Sequence, residues 1–140
     1  MAKSNVISID KLYDVIDITL EDYARGVDDV LSDASIKAAK VAESELHQTS
    51  PKRTGEYRKS WTYDFKDIWK GKRNGYRTEM VVFNKDHYRL THLLEKSHRI
   101  ANGSGVYGKS KAQPHIAPAQ KTAESKFMSV LQYGLESIRV

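Results

Sequence analysis

The residues most suggestive of chemistry stand in one short stretch. Gly103-Ser104-Gly105-Val106-Tyr107-Gly108-Lys109-Ser110 fits the phosphate-loop pattern GxxxxGK[ST] letter for letter, and its first six residues fit GxGxxG. In a phosphate loop, backbone N–H groups and the first turn of a helix cradle the anion. The lysine reaches the outer phosphates and the hydroxyl holds magnesium. That chemistry needs a strand before the glycines and a helix directly after Ser110. Here the preceding residues carry a helical pattern, and Pro114 and Pro118 interrupt the segment after Ser110. The pattern is read as a chance product of a Gly- and Ser-rich loop, and no nucleotide cofactor is expected.

His92, Glu95 and His98 come next. On a helix the positions i, i+3 and i+6 spread loosely around one face. Zinc takes a tighter ligand set, and no cysteine assists. These three are read as surface or interface side chains, and no metal is expected. Asp64 and Asp67 flank aromatic residues, where paired carboxylates serve metal-dependent nucleases; the plainer reading is the solvated face of a strand. No serine sits in a Gly-x-Ser-x-Gly turn. Without a catalytic set, the chain is not expected to be an enzyme. Lys70, Lys72, Arg73 and Arg77, with Trp69 and Tyr76 beside them, combine phosphate-gripping cations with stacking surfaces. The plainer reading is a lysine-decorated turn that keeps the protein soluble and blocks edge pairing.

Periodicity assigns these residues to helices, strands and loops. Leu12, Ile16, Leu20, Tyr23, Val27, Val30, Ala34, Ala38 and Val41 recur at steps of three and four, which predicts an amphipathic helix over 8–48. Ser8 or Asp10 would cap it, and Ser50-Pro51 would stop it. Such a helix is ~60 Å long, more than a domain of this size needs, so part of it would serve contacts with other subunits. Trp61, Tyr63 and Phe65 alternate with polar residues, and Met80–Phe83 form an apolar run. With Asn74-Gly75 between them, they predict a β-hairpin over 57–84. A short helix over 86–97 would start at Asp86 and bury Leu90, Leu93 and Leu94. A mobile loop, 98–113, would lead to a C-terminal helix over 118–134 opening on Pro118. Gly134 would end that helix or bend the chain into a last strand over 135–140. The fold class predicted is α+β, as one domain over 1–140.

Bulk properties set limits. The chain has 140 residues, no cysteine and a net charge of +5. A chain of this size can bury one modest core. The missing cysteines fit a reducing cytosol. No apolar run approaches the ~20 residues of a membrane span, and no apolar segment follows the first residues as in a secretory signal. The basic balance admits a polyanionic neighbour such as DNA.

One ordered set of motifs decides between the readings. Thr49-Ser50-Pro51-Lys-Arg-Thr54-Gly55-Glu-Tyr57-Arg58-Lys59-Ser60 is followed by the hairpin, by Leu93-Leu94-Glu95 with a histidine nearby, by the Gly-rich loop, and by Pro114-His115-Ile116-Ala117-Pro118-Ala119. This order resembles the tailed-bacteriophage family of minor tail, tail-completion and head–tail joining (neck) proteins, also called minor capsid proteins. The resemblance implies a structural virion protein, of a phage or a prophage-derived particle, that completes the head-proximal tail end. It implies a homo-oligomeric ring of six, contacting connector and tail-tube proteins, with DNA passing through the lumen. The protein would be made in the host cytoplasm and end in the virion. The motif residues Pro51, Thr54, Gly55, Pro114, His115, Ile116 and Pro118 would then make subunit or partner contacts, and Lys70, Lys72 and Arg73 would face DNA. The alternative reading is a small basic nucleic-acid-binding protein.

Overall fold

The computed structural model describes residues 8–138; the side chains of Asp10 and Tyr76, and Arg139 and Val140 of the expected last strand, lie outside the described part. Helix α1 spans Ile9–Thr49, as the periodicity requires. Ser8 occupies its N-cap position, but its side chain makes no capping bond. Its carbonyl accepts the N–H groups of Lys11 and Leu12. At the other end Ser50 turns extended, ψ 147°, as a residue before proline prefers.

Next in the chain is a one-turn helix, α2 (Glu56–Lys59), too short for any periodicity to signal. Gly55 begins it at φ 93°, a left-handed conformation that strains any side chain. Strands β1 (Trp61–Trp69) and β2 (Tyr76–Asn84) pair antiparallel, from Trp61 opposite Asn84 to Trp69 opposite Tyr76. Asn74 keeps a negative φ; Gly71 and Gly75 take the left-handed positions of the connecting turn.

From Asp86 onward the fold differs from expectation in three places. The helix expected over 86–97 is a 3₁₀ turn, Tyr88–Leu90, running into α3, Thr91–Glu95. Asp86 does not cap it: its carboxylate accepts the Ser60 hydroxyl, while the Asn84 side chain accepts the His87 N–H. The loop expected over 98–113 is mostly a second hairpin, β3 (Arg99–Asn102) with β4 (Gly105–Lys109). Asn102 turns its carbonyl oxygen onto the Ser104 N–H to make the tight reversal. Helix α4 runs Ile116–Ser137, so Pro118 stands at its third position rather than its first. It passes straight through Gly134, and 135–137 are helical rather than a strand.

Helix α4 packs antiparallel along the second half of α1. Gly134 faces Val30, so close that an added Cβ would come within 2.5 Å of the valine Cγ1. Gly26 faces Ile138 at ordinary contact distances. The core lies where α1 is richest in alanine. Ala34, Ala38, Ala39, Ala42 and Leu46 are buried with Tyr57, Trp61 and Ala119. Val82, Leu94 and Ile116 close around them.

The other half of α1 behaves differently. Every described side chain from Ser8 to Arg25 except Thr19 is exposed. Leu12, Ile16 and Leu20, expected on a buried stripe, are 46, 49 and 62% exposed. Helix α4 has ended by the level of Gly26, which leaves ~25 Å of α1 standing clear of it.

Candidate functional site

Glu95 and His115, two of the polar residues that suggest chemistry, are bound into the fold. Glu95, at the end of α3, aims its carboxylate at the start of α4. One oxygen accepts the N–H groups of His115 and Ile116 at 2.8 and 2.9 Å, and the other accepts that of Ala117 at 2.9 Å. A helix start leaves its first N–H groups without intrahelical partners. Here one carboxylate takes three of them, and Pro118 has none to offer. A negative charge also suits the positive end of the helix dipole. Burial alone would raise the Glu95 carboxyl. The three N–H donors oppose it and hold the group below its usual range.

His115 itself is 1% exposed. Its Nδ1 donates to the Gln113 carbonyl at 2.7 Å and lies 3.2 Å from Glu95 Oε2. Its Nε2 accepts the Tyr57 hydroxyl at 2.8 Å. Burial, with the Glu95 charge adding to it, pushes the Tyr57 phenol up to about 12. Asn84 donates from Nδ2 to the Tyr57 carbonyl at 2.9 Å. The Tyr57, Trp61 and His115 rings meet edge to face, with centroids 5.6 to 6.1 Å apart. Arg58 Nε donates to the Ser50 carbonyl. Sequence elements far apart, Ser50 to Ser60 and Gln113 to Ala119, are thus fastened to each other through Tyr57, His115 and Glu95.

The expected site residues divide accordingly. His115 and Gly55 are buried inside the chain's own fold, and Ile116 packs on the core. Thr54 accepts the Glu56 N–H at 3.4 Å and is exposed. Pro114 and Pro118 are exposed and Pro51 half-buried. Lys72 and Arg73 stand exposed at the β1–β2 turn, and Lys70 pairs with Glu79 at 2.8 Å. The phosphate-loop look-alike is a turn and a strand. Ser110, which would hold magnesium, bonds His98 at 2.6 Å instead. Glu95, one point of the loose set with His92 and His98, is the cap of α4. Its partners lie twenty residues downstream, and no local spacing marks them.

Two surfaces remain without an assigned role. One is the clear half of α1. The other is an open groove of about 820 Å³ between α1, the β1–β2 hairpin and α4, lined by Leu31, Phe65, Met80, Val82, Phe127 and Met128 among others. Charge divides along the chain in the same way. Residues 9–25, the clear half, hold five carboxylates and two cations, net −3; residues 26–140 hold twenty cations and thirteen carboxylates, net +7. No helix among the described residues is long and apolar enough to cross a membrane.

Fold and surfaces define a class first: a small α+β protein whose polar residues lock its elements together and whose apolar surface faces outward. Within that class, the chain belongs to the HK97-gp10-like family. The family model described as "Bacteriophage HK97-gp10, putative tail-component" matches residues 14–96, more than half of the chain. The protein is therefore a component of a bacteriophage tail and of the virion. The matched stretch takes in most of α1, the Thr54-Gly55 turn, the first hairpin and α3; the Pro114–Ala119 element and α4 lie beyond it. No curated protein and no solved structure matches the chain.

Proposed function

We propose that this tail component completes the head-proximal end of the tail and joins tail to head, as a structural subunit of a ring rather than as a catalyst. The observation that carries this reading is the clear half of α1. Eight large apolar side chains between Ile9 and Tyr23 are at least 45% exposed. Large contiguous apolar surface marks a binding face. Family membership makes the partners other phage structural proteins, here the connector and the tail tube. Pro114, Pro118 and Thr54 are exposed and Pro51 is half-buried, so all four remain open to contact with a neighbour in this reading. A ring, six-fold by the resemblance, would pass DNA through its lumen, with Lys70, Lys72 and Arg73 on the hairpin tip facing it. The protein would be made in the host cytoplasm and carried in the virion.

Deleting the gene in its parent phage and imaging the lysate by negative-stain electron microscopy tests this. DNA-filled heads lying apart from unjoined tails are the expected result. Normal infectious particles would overturn it. The +7 charge of residues 26–140 favours a second reading, a nucleic-acid-binding protein. That reading requires duplex binding whose affinity falls steeply with salt and weakens when Lys72 and Arg73 are replaced by alanine.

A further inference from the structure

The clear half of α1 and the apolar groove are complementary. The half-helix carries Leu12, Ile16, Leu20 and Tyr23 along one face and Asp14, Asp17 and Glu21 on the opposite one, by helical spacing. The groove offers Phe65, Met80, Phe127 and Met128 between two helices and a sheet. We infer that the groove of one copy receives the N-terminal half of α1 from a second copy of this chain.

Three observations fix the occupant. The half-helix cannot reach the groove of its own chain, because Leu31, Ala38 and Ala39 of the same continuous helix already line that groove. Two half-helices do not suit each other, because each carries a net charge of −3 over residues 9–25 and like charges repel. The groove lining itself holds Glu79 and Glu124, but the body that bears it, residues 26–140, carries +7. At longer range opposite charge therefore draws the acidic half-helix, its carboxylates turned away from the groove, toward the body of another copy. Each copy then gives one helix and receives one. Such a contact is head-to-tail and closes into a ring when its rotation permits. The inference rests on the tail-joining reading for its setting and specifies how the ring is held.

The chain contains no cysteine, so introduced thiols report cleanly. Two double variants of the full chain separate the surfaces: Leu12→Asp with Ile16→Asp on the half-helix, and Phe65→Asp with Met128→Asp in the groove. All four side chains are 41 to 60% exposed, so the helical circular dichroism of each variant should match that of the parent. In low salt, sedimentation velocity should show the parent as an oligomer and each variant as a monomer. An equimolar mixture of the two variants should form a heterodimer, since each retains the surface the other lacks. A parent that stays monomeric at about 1 mM, a variant that keeps the parent's oligomer, or a mixture that stays monomeric would each overturn the inference. Mild oxidation gives an independent check. Chains carrying both Ile16→Cys and Met128→Cys should form a covalent ladder, whereas dimers of the Ile16→Cys single variant would show the wrong pairing. A monomeric chain whose deletion still leaves tails unjoined would sink this contact and leave the tail-joining reading standing.

Discussion

The two halves of α1 share one helix and one apolar stripe, yet they meet opposite surroundings. From Ala34 to Leu46 the stripe is mainly alanine and is covered by α4, α2 and the first hairpin. From Ile9 to Tyr23 it is isoleucine, leucine, valine and tyrosine, and it is exposed. Side-chain size accounts for the division. Small residues let backbones approach, so α4 lies close against the alanine half, and Gly134 continues that close seam at Val30. Large residues keep helices further apart and offer more area to a partner. One periodic pattern therefore encodes both an internal seam and an external face.

The largest effect should come from a charge placed in the covered half. Ala34 is fully buried, and Ala34→Asp should cost several kcal/mol, enough to unfold a small domain. Leu20→Asp in the clear half should leave the melting temperature of the monomer nearly unchanged. Equal losses in thermal melts would erase the distinction between the halves.

Loss of the cap comes second. Glu95→Ala should destabilise by about 2 kcal/mol, because α4 loses the acceptor for three N–H groups where it docks on the covered half. The effect depends on pH with a definite sign. A carboxyl held lower in the fold than its unfolded value of 4.5 adds stability above that value and loses it as pH falls through the folded value. Denaturant titrations should therefore show parent and variant converging in acid. A constant gap down to acid pH would count against the cap.

The glycines give the finer tests. Gly134→Ala must push against Val30, and overpacking should outweigh the gain in helix propensity, for a net loss of about 1 kcal/mol. Gly26→Ala meets Ile138 only at 3.6 Å, so it should be neutral or stabilising by up to about 1 kcal/mol. Reversed signs would mean that the seam is loosest where it is described as tightest.

Period and turn chemistry make α1, the first hairpin and the body of α4 legible from sequence, because each is specified by neighbours within a few residues. The second hairpin is hidden for a local reason. Gly103, Gly105, Gly108 and the surrounding lysines and serines suppress the alternation that marks a strand, and every residue from Arg99 to Lys109 is exposed. The true start of α4 is hidden for a distant one. Pro118 is the strongest local signal, but the cap that lets the helix begin at Ile116 comes from Glu95. His115 is legible as part of a motif, whereas its place between Tyr57 and Glu95 is not, since those partners lie on separate elements.

The β3–β4 ribbon has a consequence for how the protein behaves before assembly. Two strands with no third and no covered face are only marginally stable by themselves. Its amide protons should exchange with solvent long before those of the covered half of α1, and trypsin should cut the free chain readily at Arg99 or Lys109. Cleavage there therefore reads whether the ribbon is bare or covered: a chain whose ribbon is held by a partner should resist trypsin at both residues.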